Sequence, residues 1–148
     1  MKAVDRSNVG ITVDTFHFHE MCSKLEDLKA ADGNKIFAYH LNDCEDLPLG
    51  SCGDDKRLWP GEGVVDHEGI ASALKEIGFD GVCTIEEFRP EYYEMSHDEN
   101  VKKAAEVTRE FVNKVFLKNG GTLMTAYEET LHVNPEKNFE ELNNELPK

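Results

Sequence analysis

The sequence predicts an α/β fold built on a parallel sheet, and three observations carry that prediction. Short runs rich in β-branched and aliphatic residues recur at 9–13, 35–41 and 81–85, each is followed by a segment with helical apolar spacing, and each ends in polar, chemically capable side chains. Strand, helix, strand, helix, strand, helix is right-handed βαβ grammar, which requires parallel strands covered by helices.

The first run, Val9-Gly-Ile-Thr-Val13, is apolar on both faces, as a strand covered on two sides must be. Ser23-Lys-Leu-Glu26 has capping-box form, with Cys22 at the helix start. Leu25, Leu28 and Ala31 then repeat at helical spacing until Gly33 ends a short first helix. Lys35-Ile-Phe-Ala-Tyr-His-Leu41 is the second strand. From 42 to 63, Pro48, Gly50, Gly53, Pro60, Gly61 and Gly63 predict a loop. Its length exceeds the ~12–15 residues of ordinary connectors, which marks it as functional or disordered.

Asp66 caps a second helix carrying Ile70, Ala73, Leu74 and Ile77, closed by Gly78. Gly81-Val-Cys-Thr-Ile85 is the third strand. Ser96-His-Asp-Glu99 is a further capping box opening a longer helix through Val101, Ala105, Thr108, Phe111, Val112 and Val115, stopped near Asn119-Gly120-Gly121. One domain over 1–117 is expected. Residues 118–148, rich in Glu and Asn with two weak helical patterns, are expected to form an acidic helical appendix.

Sixteen basic against thirty acidic residues give a net charge of −14, which repels phosphate backbones and anionic lipid headgroups. Nucleic acid and membrane are therefore excluded as expected partners. No signal-like apolar segment occurs, and no stretch approaches the ~20 apolar residues of a membrane span, so a cytoplasmic protein is expected. Cys22, Cys44, Cys52 and Cys83 contain no Cys-x-x-Cys pair. Reduced thiols are the expected state, with a Cys44–Cys52 disulfide the alternative.

The strand ends carry Asp14 with His17 and His19, His40 with Asp43, and Glu86 with Glu87. Parallel α/β folds place these ends on one face, with neighbouring strands about 4.8 Å apart. Asp14, His40 and Glu86 then converge on one ion if their strands are adjacent, and an imidazole with two carboxylates suits zinc, manganese or cobalt better than calcium. Taken singly, each residue fits a helix cap or a packed side chain as well; their coincidence at three strand ends is what points to a metal. Adjacent strand residues face opposite ways, so Glu86 and Glu87 do not both point inward without a bulge. Asp43, Glu45, Asp46, Asp54 and Asp55 are expected to form a solvated acidic loop.

Val-Asp-Thr-Phe-His-Phe-His, Tyr-His-Leu-Asn-Asp, Arg-Leu-Trp-Pro-Gly-Glu-Gly, Ala-Leu-Lys-Glu-Ile-Gly-Phe-Asp-Gly and Ile-Glu-Glu-Phe-Arg-Pro-Glu-Tyr-Tyr occur in that order. In this the chain resembles the xylose isomerase-like sugar phosphate isomerase/epimerase family, on its inosose isomerase branch, over residues 8–116. The resemblance implies a (β/α)8 TIM barrel of which 1–117 supplies the last three βα units. It implies metal ligation by Asp14, His40 and Glu86, proton transfer by Glu86, and substrate contacts from His17 and Arg57. The family chemistry moves a proton between adjacent carbons of a small polyol ketone or sugar phosphate through an enediolate, with a divalent metal and two glutamates.

The second glutamate belongs to the family's fifth strand, which this sequence does not contain. The uncovered strand edges are expected to be closed by self-association, by a separately encoded N-terminal half barrel, or by the appendix. Two readings follow: an isomerase completed by a partner, with the chain inactive alone, or a catalytically inactive truncated fragment that folds by oligomerising. A third, descent from a family endonuclease acting at abasic DNA, is disfavoured by the charge of −14.

Overall fold

The structure, a computed structural model, describes residues 6–116. The appendix expected over 118–148 lies outside the described residues. Along the chain run β1 (Ile11–Asp14), α1 (Thr15–Glu20), α2 (Leu25–Lys29), β2 (Ile36–Leu41), β3 (Asp43–Cys44), β4 (Arg57–Leu58), α3 (His67–Glu76), β5 (Val82–Ile85), α4 (Pro90–Tyr93) and α5 (His97–Val115). β1, β2 and β5 form a parallel sheet in that order, while β3 and β4 form a small antiparallel pair.

One irregularity sets the face that matters. Ile11 pairs with Ile36, but Thr12 pairs with Ala38, so β2 gains a residue and Asp14 lands opposite His40. A regular register would set Asp14 against Tyr39, whose side chain points the other way. With the shift, Val13 and Tyr39 are paired and buried together, and Asp14 and His40 share the opposite face.

Tyr39 and Leu41 pack with Ile70, Ala73 and Leu74 of α3 and with Phe111 and Val112 of α5. The Tyr39 ring meets Phe79 and Phe116 edge-on at centroid distances of 6.4 and 5.7 Å. Full burial of such side chains stabilises by about 1.5–3 kcal/mol each. α3 begins where Asp66 accepts the Gly69 N–H, and α5 begins with a complete Ser96/Glu99 capping box, both as the sequence predicts. Gly78 follows α3 at φ +70°, a conformation glycine enters without steric cost.

Three expectations are corrected. The segment after Asp14 is the helix α1 and not a polar strand end, because Asp14 caps it by accepting the His17 N–H. Ser23 does not cap the next helix: its N–H closes α1 on Phe18 O while Cys22 takes the left-handed φ of +53°, so the N-cap of α2 falls to Lys24, with no side-chain bond. The loop over 42–63 contains the β3/β4 pair, in which Cys44 is registered with Arg57. Among the described residues no helix is long and apolar enough to cross a membrane.

Candidate metal centre

Asp14 ends β1, His40 lies beside it on β2, and Glu86 directly follows β5. His40 pairs with Thr84, so period-two alternation turns Glu86 to the same side. His40 Nδ1 is 3.5 Å from Asp14 Oδ2 and 3.2 Å from Glu86 Oε2, and one donor atom from each residue lies within 4.8 Å of the other two. Two carboxylates and an imidazole at this spacing fit a small divalent cation of the zinc, manganese or cobalt type. Glu87 does not join them. Both its carboxylate oxygens are buried without a hydrogen-bond partner, and burial pushes the carboxyl up to about 9.

Arg57 is carried into the site by β4 and is 1% exposed. Its Nη1 donates to Asp14 Oδ2 at 2.9 Å and lies 3.5 Å from Glu86 Oε2; Nη2 lies 3.3 Å from His17 Nε2. Asp54 holds the guanidinium from the other side, at 2.9 Å from Nε and 2.8 Å from Nη2, and the Phe16 and Phe88 rings sit 4.6 and 5.2 Å from Cζ. Burial alone would lower the Arg57 pKa, but the bonds to Asp14 and Asp54 outweigh it and raise the value. For Asp14, burial pushes up while the Arg57 hydrogen bond, the His17 N–H and the Arg57 charge together hold the carboxyl below its ordinary range.

Asn42 ties the three strand ends together. Its Oδ1 accepts the Phe16 N–H at 2.8 Å, and its Nδ2 donates to Asp14 Oδ2 at 3.3 Å and to Glu86 O at 3.4 Å. The Thr15 hydroxyl accepts the Asn42 N–H at 3.0 Å and lies 2.6 Å from Asn42 O. Sequence reasoning missed both residues as site components. The available signal was that Asn42 lies two residues beyond His40 and so shares its face.

Asp43, expected in a solvated loop, is instead 1% exposed. It accepts N–H groups from Cys44, Gly61 and Val65 at 3.0, 3.0 and 2.9 Å, and His67 Nε2 lies 3.1 Å away. The carboxylate satisfies backbone donors of the 61–65 turn that a loop threaded between β4 and α3 would otherwise bury unpaired. Asp54 also departs from a purely solvated role, since it is bonded to Arg57. His19 lies apart from the Asp14, His40 and Glu86 group, near Glu20 and Cys44. All four cysteines are free thiols.

Comparison with known proteins identifies the fold and the family. A family model for the xylose isomerase-like TIM barrel matches residues 1–111. The chain is 52% identical over 118 residues to the inosose isomerase of Bacillus velezensis, covering 80% of this chain and 42% of that protein. It is 49% identical over 116 residues to the inosose isomerase of Bacillus subtilis strain 168, covering 78% and 42%. A crystal structure of the IolI protein with a bound zinc atom superposes with a TM-score of 0.75 at 50% identity, covering 78% of this chain and 41% of that one. A xylose isomerase domain protein from Alicyclobacillus acidocaldarius, 23% identical with a TM-score of 0.64 and the same coverage, shares the fold. The chain thus spans about 42% of the length of the curated relatives it matches. With three parallel strands, their covering helices and this match over three quarters of its length, the chain belongs to the xylose isomerase-like TIM barrel family.

Proposed function

We propose that this chain carries the Asp14, His40 and Glu86 side of a divalent-metal site in a cytosolic isomerase acting on a small polyol ketone, of the inosose type, or on a sugar phosphate. The observation that carries the reading is the convergence of these three side chains at adjacent strand ends, within 4.8 Å, in a chain about half identical to inosose isomerases. Zinc, manganese and cobalt all suit the donor set, and the zinc held by the IolI relative favours zinc. A cation bound there supplies a Lewis acid that polarises a carbonyl and stabilises negative charge on its oxygen.

The residues of this chain do the rest. Glu86, partly exposed beside His40, takes the proton from the first of the two carbons. His17, exposed at the first turn of α1, and Arg57 present imidazole and guanidinium nitrogens 3.3 Å apart that hold substrate oxygens. Asn42 and the Asp54 bond fix Asp14 and Arg57, so that neither reorients when charge develops nearby. A second carboxylate for the return proton comes from the rest of the barrel, supplied by a separately encoded N-terminal half or by another copy.

The test mixes this chain with the five-stranded N-terminal half of a Bacillus inosose isomerase, in zinc, manganese or cobalt, and follows inosose isomerisation. Activity that disappears in Glu86→Gln and His40→Ala supports the reading. No turnover in any metal-loaded mixture overturns it. A second reading, an inactive fragment that folds by self-association, is favoured by the exposed residues on both outer strands, with Ile11 39% and Val82 62% exposed. Light scattering with metal analysis separates the two: a metal-free homodimer selects the second.

A further inference from the structure

One helical turn beyond the site, the chain builds a second cluster of ligating groups. His19 and Glu20 end α1, and Cys44 lies on β3; a donor atom from each lies within 4.8 Å of the other two. Cys44 is fully buried and Glu20 is 6% exposed.

The Glu20 carboxylate lies beside the Cys52 thiol and is held from one side by backbone donors. Oε2 accepts the Gly50 N–H at 2.9 Å and the Cys52 N–H at 3.1 Å, which ties the 45–56 loop to α1. Oε1 is buried with no hydrogen-bond partner. Leaving such an acceptor unsatisfied costs about 1–3 kcal/mol, and native structures seldom do so without a reason. One oxygen is held by backbone donors, and the carboxylate as a whole belongs to the group shared with His19 and Cys44. Backbone bonds that orient a carboxylate while leaving its other oxygen free are what metal ligands commonly show.

We propose that His19, Glu20 and Cys44 form a second metal site, distinct from the Asp14, His40 and Glu86 group and selective for a thiophilic divalent ion of the zinc class. Thiolate, imidazole and carboxylate together suit zinc, or cobalt in its place, and not magnesium or calcium. Bonds of about 2.0–2.3 Å place tetrahedral donors roughly 3.3–3.8 Å apart, so closure from the observed spacing needs side-chain shifts of about 1 Å. His19 also lines a surface cleft of about 230 Å³ with Phe18, Leu49 and Ile70, which gives an ion a way in. Burial pushes the free Cys44 thiol up to about 12, so binding releases its proton. The bound ion clamps α1 to β3, Glu20 Oε2 carries the link on to the 45–56 loop, and the role of the ion is structural.

Cobalt(II) titration of the full chain reads this site directly, because only a thiolate ligand gives a near-ultraviolet sulfur-to-cobalt charge-transfer band and the first site contains no sulfur. A band saturating at one equivalent is expected in the parent chain and in the Asp14→Asn/His40→Ala double variant. It should vanish in Cys44→Ser and require at least ~10-fold more cobalt in His19→Ala. Since Cys44 is buried and its variant is at risk of not folding, His19→Ala, at a partly exposed position, then decides. The proposal is overturned by a parent chain without the band, by a band that survives Cys44→Ser or is lost with Asp14→Asn/His40→Ala, or by His19→Ala binding cobalt as the parent does.

Discussion

Asp43 offers the sharpest test of how this chain holds its site, because one buried carboxylate serves four partners. Replacing it by alanine orphans the N–H groups of Cys44, Gly61 and Val65 and removes the contact to His67. Each buried donor left alone costs about 1–3 kcal/mol. Water reaching the 61–65 turn and relief of the burial penalty on the carboxylate offset part of that sum. A net loss of about 3–5 kcal/mol is expected, as for other broken buried charge networks. Asn at the same position keeps one oxygen for the Cys44 and Val65 N–H groups, both of which bond to Oδ1, and forfeits the Gly61 bond made by Oδ2, so about 1–3 kcal/mol is expected.

The same network fixes a pH signature. Burial alone would raise the Asp43 carboxyl, but the His67 contact and then the Val65 N–H outweigh it and hold the folded value below the ordinary 3.8. A depressed carboxyl contributes stability that is fully present above the unfolded value and is lost as pH falls through the folded one. The gap between parent and Asp43→Asn should therefore be constant at neutral pH and shrink below about pH 4. Urea unfolding followed by the fluorescence of the one tryptophan, buried Trp59, measures both effects. Asp43→Ala within about 1 kcal/mol of the parent, or an Asp43→Asn gap that widens on acidification, would refute the reasoning.

The remaining predictions concern the neighbouring groups. His40→Ala should weaken zinc binding at the first site by at least ~10–100-fold, since losing even a residue behind a ligand has that effect; calorimetric titration in a His19→Ala background isolates that site. Zinc at about 100 times its dissociation constant should stabilise the parent by about 2.7 kcal/mol in thermal or urea unfolding, and a chelator should reverse the gain. Thr15→Val should cost about 1–3 kcal/mol, because the Asn42 N–H loses the hydroxyl that accepts it at 3.0 Å. Gly63→Ala should cost about 1–3 kcal/mol or more, because a Cβ there would meet Cys44 O and Asp43 Oδ1, and equilibrium unfolding of that variant checks it.

Local pattern was enough to find the three strands, the helices at α3 and α5 and the polar residues that end each strand, because period two, period 3.6 and capping signals are properties of neighbouring residues. It misread α1, since Asp14 looks the same in sequence whether it ends a strand or caps a helix, and in the structure it does both. It also misread Asp43, whose acidic neighbours suggest solvent. Its partners Gly61, Val65 and His67 lie 18 to 24 positions away in sequence and are brought to it by the β3/β4 pair and the turn after it.

By itself, then, the sequence determined which residues stand at the strand ends and what chemistry they offer. Tertiary structure decided that they meet. The one-residue shift between β1 and β2 turns Asp14 and His40 to the same face, and the pairing of Cys44 with Arg57 brings a guanidinium between Asp14 and Asp54. A slip of one residue in a strand reverses every side chain beyond it, and its cost or gain is settled by how well Val13 and Tyr39 pack on the far face. That balance belongs to the whole core and to no local run of residues.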